Sequence, residues 1–308
     1  MVEMKSAAPR AAKVSVVMPF LNTPERFLRE AVDSVRCQSH VDWELLLVDD
    51  GSRQEIGELA RHLADEDSAR IRYLQHDRPG TYGSSRSRNL GLSFATGEFV
   101  SFLDSDDVWL ADKLAEQLQI LAQYPDAGML FGNTLYWYSW TDSGRSGDRD
   151  YSPKLGIHSP RLFEPPSMLR HSLQGRIAVP CINSLLCRRN VLHDENWFED
   201  SFTGMYDDQV LYAKFWINAP VIVVDRCWDK YRQHRDSMTA GGDRAEEHSI
   251  ARRQYLEWIG EYLEKRSVYD ANLMRTLAFE RSISRYTKLG SLIRKGRRHF
   301  WQIMPSLR

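Results

Sequence analysis

Hydrophobic positions in the first 135 residues alternate between two patterns. Continuous runs of branched and aromatic residues read as strands buried on both faces: "KVSVVMPF" (Lys13 to Phe20), "WELLLVDD" (Trp43 to Asp50), "EFVSFLD" (Glu98 to Asp104) and "AGMLFGN" (Ala127 to Asn133), with "IRYLQH" as a shorter one. Between them the apolar residues recur at helical spacing. Pro24 opens a helix with Phe27, Leu28, Ala31, Val32 and Val35 on one stripe. A second helix follows Gly51-Ser52 and runs through Leu63, and a third starts near Ser84 with that residue as its N-cap. The fourth, "LADKLAEQLQILAQY", is amphipathic and is stopped by Pro125.

Strands and helices alternating in this way predict an α/β fold with a mostly parallel sheet flanked by helices. Ligands of such sheets bind beyond the carboxyl ends of the strands. Here those ends carry Asn22, Asp49-Asp50 and Asp104-Ser105-Asp106-Asp107. The stretch from Ser139 to Ser167 is polar and rich in Gly, Ser and Pro, which predicts a long loop or a partly ordered insertion. Order returns with "NSLLCRR", a helix near Asp208 to Ile217 and the strand "PVIVVDR", and the tail from Ala245 has helical periodicity. The expected organisation is one domain over 1–240, its nucleotide-binding half about 13–135 and its acceptor half about 136–240, followed by a helical basic extension over 241–308.

The composition adds limits. The chain has 308 residues, 42% hydrophobic and 27% charged, with a formal net charge of −1, which gives no reason to expect nucleic acid as a partner. Cys37, Cys181, Cys187 and Cys227 form no C-x-x-C pair, so reduced thiols in a reducing compartment are expected. The N-terminal residues lack the apolar core of a signal peptide, and no apolar run reaches the ~20 residues of a membrane span. A cytoplasmic protein, or one peripheral to the cytoplasmic face of a membrane, is the expectation. From Arg281 onward the chain holds Arg and Lys but no Asp or Glu, mixed with aromatic and aliphatic residues. That tail suits an anionic membrane surface, and equally a packed helix with its basic face in water.

Five segments carry candidate chemistry. In "FLDSDDVW", Asp104 and Asp106 are brought close in a turn at a strand end. Adjacent carboxylates repel unless a cation or donor lies between them, and hard oxygen ligands suit Mg²⁺ or Mn²⁺ bound together with a diphosphate. A helix cap by Asp106 or Asp107 is the plainer alternative. "LLVDDGS" offers an acid to a base N–H or a ribose hydroxyl, although an Asp-Gly turn explains it too. "RPGTYGSSRSRNLGL" combines a glycine loop with Arg86 and Arg88, cations able to meet phosphate oxygens. In "MYDDQVLYAKF", Asp207 and Asp208 precede a helix, as a cap or as a general base. In "YRQHRDSMT", His234 could ligate a metal and Arg232 could hold the same anion.

Taken in order and spacing over roughly Lys13 to Thr239, these motifs resemble the family 2 glycosyltransferases of the GT-A fold. The resemblance implies transfer of a sugar from a nucleotide-sugar donor, by default a UDP-sugar, to a hydroxyl of a glycan or lipid-linked glycan, with inversion and with Mn²⁺ or Mg²⁺. It implies that Pro19, Phe20 and Asn22 line the donor site, that Asp50 contacts the base, and that Asp104 lies near ribose or metal. Arg88 would meet the diphosphate, Asp106 would bind the cation with His234, and Asp208 would be the catalytic base. Family members carry Glu-Asp where this chain has Asp207-Asp208, which leaves the role of Asp207 open. The Gln-x-x-Arg-Trp motif of processive synthases is missing, so addition of a single sugar is expected. A protein that binds a nucleotide-sugar without turning it over is the alternative from another class. A nucleotidylyltransferase or a dinucleotide oxidoreductase would need a glycine-rich loop after the first strand, and "MPFLNTPERF" has none.

Overall fold

Strand β1 (Val14–Phe20) lies between β2 (Trp43–Asp49) and β4 (Phe99–Phe102), parallel to both, and β3 (Ile71–Gln75) adds to β2 in the same direction. The computed structural model describes residues 12–140, 149–153, 155, 157, 159–192, 196–234, 245–286, 292–294 and 296–297. The crossovers are α1 (Glu25–Arg36), α2 (Gln54–Asp65) and α3 (Ser84–Phe94), as the apolar periodicity predicts. α3 lies close on the sheet because Gly91 has no side chain; a Cβ there would stand 2.5 Å from Val17 Cγ1.

The sheet continues from β4 to β8 (Leu186–Arg188), β6 (Met129–Trp137), β9 (Val221–Arg232) and β5 (Val108–Trp109), and β7 (Arg161–Phe163) pairs with the start of β9. β6 and β9 are parallel, while β8, β5 and β7 run antiparallel to their neighbours. The parallel character read from the sequence therefore belongs chiefly to β1–β4, in the first half of the chain. A parallel return needs a long crossover, and these short strands are reached through loops.

Two elements differ from the apolar pattern. The helix expected from Leu110 begins at Lys113 as α4 (Lys113–Gln123), since Val108 and Trp109 pair with Lys230 and Asp229 of β9. β9 runs six residues past the apolar run "PVIVVDR", through register shifts opposite Phe131, Asn133 and Thr134. The polar stretch expected as a loop contains β7 and a bridge between Tyr136 and Tyr151.

Further helices are α5 (Ser167–Leu173), α6 (Asp207–Asn218), α7 (Ala245–Lys265) and α8 (Ala271–Ser284). Tyr255, Leu256, Ile259, Leu273 and Leu277 of the last two belong to the same core cluster as Val210, Phe215 and the sheet residues Val17 and Leu46. Among the described residues no helix is long and apolar enough to cross a membrane. All four cysteines are free thiols. Most of the basic tail expected to meet a membrane, 287–291, 295 and 298–308, lies outside the described residues.

Candidate active site

A cleft of about 1350 Å³ opens at the carboxyl ends of β1, β2 and β4. Pro19, Phe20, Asn22, Asp50, Arg88, Asp104, Asp106, Asp208 and His234 all line it. They come from segments more than 200 residues apart in the chain, and the sheet edge is what brings them together.

The ends of β1 and β2 shape one wall. Asn22 has a left-handed backbone with φ 51°, and its Oδ1 accepts the Arg53 amide at 2.8 Å. Asp49 turns away from the cleft. Its Oδ1 accepts the amides of Gly51 and Ser52, and its Oδ2 accepts the Tyr73 hydroxyl at 2.7 Å. Asp50 faces the 80–83 loop instead. It accepts the amides of Tyr82 and Gly83 and the Ser87 hydroxyl, the last at 2.9 Å. Gly51 permits this, since it has φ 92° and a Cβ there would meet Gly80 O at 2.3 Å.

The end of β4 forms the floor. Thr23 and Ser105 hydroxyls bond at 2.7 Å and tie the β1 and β4 ends together. Asn183, fully buried, accepts the Asp104 amide at 2.8 Å and donates to Asp107 Oδ2 at 2.5 Å. Asp107 also accepts the Arg232 amide at 2.7 Å, so it braces the floor and caps no helix. Burial, with the charges of Asp106 and Asp104 beside it, pushes its carboxyl well above the usual range.

Arg88 is the cation at the centre. Nη2 donates to Asp104 Oδ1 at 2.7 Å and Nη1 to Asp207 Oδ2 at 2.9 Å. Burial opposes its charge, but the two carboxylates outweigh that and hold its pKa above the ordinary value. Burial also raises the pKa of Asp104, against the pull of Arg88. Ser84 does not cap α3. Its hydroxyl donates to Asp207 Oδ2 at 2.8 Å, and Gly83 occupies the cap position. Asp207 is thus held by two donors and turned toward Arg88.

Asp208, on the first turn of α6, is half-buried in the opposite wall. Oδ1 accepts the Gln209 amide at 2.7 Å, and Oδ2 lies 3.4 Å from the Tyr212 hydroxyl. Burial and the neighbouring negative charge of Asp207 push its carboxyl up to about 7, where a group can exchange a proton near neutral pH.

The metal candidates Asp106 and His234 meet: Asp106 Oδ2 is 3.0 Å from His234 Nε2. Among the described residues no group of three or more His, Cys, Asp or Glu side chains is placed to hold a metal ion. One carboxylate and one imidazole suit a cation that takes its other ligands from a diphosphate and water, as Mg²⁺ commonly does. Arg232 differs from its reading as an anion ligand. It is fully buried, donates to the Asp106 carbonyl and to Glu30, and lies over the rings of Phe27 (4.3 Å), Trp137 (4.7 Å) and Trp140 (5.1 Å). Its charge is used to frame the Asp106 turn. The sequence offered no signal for Asn183 or for the Ser84–Asp207 link, because both depend on contacts across 76 or more residues.

The chain is similar to known proteins in sequence and in fold. The model of the glycosyl transferase family 2 matches residues 15–194. The Escherichia coli protein WfgD, a UDP-Glc:alpha-D-GlcNAc-diphosphoundecaprenol beta-1,3-glucosyltransferase, is 33% identical over 120 residues, which are 39% of this chain and 45% of WfgD. The chain spans less than half the length of the curated relatives it matches. Among solved structures, S. aureus TarS 1-349 in complex with UDP-GlcNAc superposes with a TM-score of 0.67 at 19% identity, over 89% of this chain and 73% of that one. The mannosyltransferase PcManGT from Pyrobaculum calidifontis, in complex with GDP-Man and Mn²⁺, gives 0.58 at 15% identity, over 97% and 76%. At these identities the two structures establish the fold.

Proposed function

This chain belongs to glycosyl transferase family 2, and from that we infer that it transfers a single sugar from a nucleotide-sugar, a UDP-sugar in the first instance, to a hydroxyl of a glycan or lipid-linked glycan. The observation that carries the reading is the facing pair of acids across one cleft: Asp106 with His234 on the floor, and Asp208, raised to about 7, on the wall. The names of WfgD and of the TarS complex support UDP as the nucleotide, and WfgD supports a diphosphate-lipid acceptor.

The nucleotide lies along the β1 and β2 ends, where Pro19, Phe20 and Asn22 form the wall and Asp50 Oδ2 retains capacity to accept a base N–H. Asp106 and His234 would hold a divalent cation, whose charge would offset that of the departing diphosphate. Arg88 keeps Asp104 and Asp207 in place beside that charge. Its terminal nitrogens donate to Asp104 and Asp207 while it lines the cleft, so it adds a fixed positive charge beside the diphosphate. Asp208 takes the proton of the acceptor hydroxyl. The new bond forms from that oxygen to the anomeric carbon as the bond to the diphosphate breaks, and attack from the opposite face inverts the centre. A protein that only bound the donor would have no use for a carboxyl poised near neutrality.

The test is a thermal-shift screen of nucleotide-sugars with and without Mn²⁺, followed by donor hydrolysis. A UDP-sugar that raises the melting point in Mn²⁺ and is slowly hydrolysed is expected. If no nucleotide-sugar shifts it, the reading is wrong. Binding with no hydrolysis and no transfer to any acceptor would leave a binding protein.

A further inference from the structure

Tyr206 immediately precedes the acids of α6 and has φ 65° and ψ 5°, a left-handed backbone that bulky side chains seldom adopt. Several contacts hold it there. Its ring stacks on Tyr255 of α7 at 5.0 Å and meets His248 edge-on at 6.0 Å. Its hydroxyl end lies beside the Arg252 guanidinium, one turn along the same helix, close enough to favour that charge. Arg252 Nη2 in turn donates to Glu280 Oε2 of α8 at 2.6 Å, and Glu280 Oε1 accepts from Arg297 Nη1 at 2.6 Å. The Glu280 side chain is sealed from solvent, a position in which a carboxylate must be paired.

A second tie reaches the same turn from the other side. The Tyr255 hydroxyl donates to Gln209 O at 3.3 Å. α7 therefore grips α6 at Tyr206 and at Gln209, the residues that bracket Asp207 and Asp208. α7 and α8 are themselves clamped, since Arg281 donates twice to Leu256 O, at 3.2 and 3.0 Å. Gly260 gives that guanidinium its room; a Cβ there would lie 2.1 Å from Arg281 Nη2.

We propose that Arg252 and Glu280 are positioning residues for transfer: acting through Tyr206 and the first turn of α6, they set the direction in which Asp208 presents its carboxylate to the cleft. Both lie outside the 15–194 segment that the family model matches. The proposal rests on Asp208 as the base.

The experiment uses the whole chain, with UDP and Mn²⁺ for calorimetry and the UDP-sugar selected by the thermal screen for turnover. Glu280→Gln and Arg252→Met should leave UDP affinity within about twofold and lower turnover per bound UDP by about 10- to 100-fold, the size expected of a misplacement near 1 Å. Arg252→Lys should recover most of the loss, and Tyr206→Phe, which keeps the ring, should fall between. Combining Glu280→Gln with Asp208→Asn should cost no more than Asp208→Asn alone, because an orienting group has no effect once its target is gone. Wild-type turnover in both Glu280→Gln and Arg252→Met overturns the proposal. So does UDP affinity falling in step with turnover, or additive losses in the double variant. A fully active Asp208→Asn instead removes the base assignment, whatever the Glu280 variants do.

Discussion

Arg88 Nη1 and Asp207 Oδ2 are joined at 2.9 Å across 119 residues of sequence, and through that pair the third helix holds the wall that carries Asp208. The same guanidinium reaches Asp104 at 2.7 Å, so one buried cation fixes an acid on each side of the cleft. This gives Asp207 a role that its place in the sequence left open.

Arg88→Met should therefore damage stability and activity together. Removing one partner of a buried ion pair costs about 3–5 kcal/mol, and here two carboxylates lose their cation. Urea unfolding measures the first effect and donor hydrolysis the second. Arg88→Lys should recover part of the stability, because an ammonium cannot reproduce the forked geometry. A stability within experimental error of wild type for Arg88→Met would show that the pair does not brace the cleft.

Asp208→Asn should keep nucleotide binding and lose transfer, by the 10²- to 10⁴-fold range typical of a general base. Calorimetry with UDP and a product assay separate the two. Normal binding with wild-type turnover removes Asp208 from the chemistry.

The pH profile follows from the environment of Asp208. Burial raises its pKa first, then Asp207, while Arg88 and the Tyr212 hydroxyl pull it down; Tyr255 lies on the α7 side. A base works deprotonated, so kcat/KM should rise with pH to a plateau with a midpoint near 7. Asp207→Asn removes the adjacent negative charge and should move that midpoint to lower pH. Stability runs the other way. A carboxyl with a pKa raised in the folded state favours folding while protonated, so this contribution fades as pH rises from about 4 through the folded value and is flat above it. Wild type should lose stability relative to Asp208→Asn over that interval. A midpoint unmoved by Asp207→Asn would show that its charge is not felt.

Asp106→Ala should weaken UDP binding in Mn²⁺ and leave metal-free binding unchanged, and His234→Ala should do the same more mildly. Titrations with Mn²⁺ and with EDTA provide the comparison. An equal loss in both conditions points to damage of the floor that Asp106 shares with Arg232, not to a lost ligand.

Gly51→Ala should destabilise the protein by more than ~1 kcal/mol, where the same replacement at a compatible site would stabilise it slightly, because its φ of 92° and the 2.3 Å approach to Gly80 O leave no room for Cβ. Donor binding should fall with it, since the 80–83 loop packs against Asp50. Unchanged unfolding and unchanged UDP affinity would mean that the loop shifts freely.

The first half of the fold was legible because its strands are continuous apolar runs and its acids sit where those runs stop. Asp50, Asp104 and Asp106 needed no knowledge of the tertiary fold to be placed at one edge. Arg88 was legible as a cation but not as a partner of Asp207, since sequence order does not encode what faces what across a sheet. Arg232 misled for a similar reason: beside His234 it reads as a ligand for the same anion, yet the second half of β9 places its guanidinium against three aromatic rings. The left-handed turn at Tyr206 had no residue signal, because a glycine or asparagine would be the usual occupant.

The insertion of β8 between β4 and β6 has a consequence for synthesis on the ribosome. When the chain has emerged as far as Trp137, β4 and β6 have both been made, but the three residues that join them, Leu186–Arg188, are still some fifty residues away. Until they arrive, the facing edges of β4 and β6 have no neighbour, and such edges pair with other chains when left open.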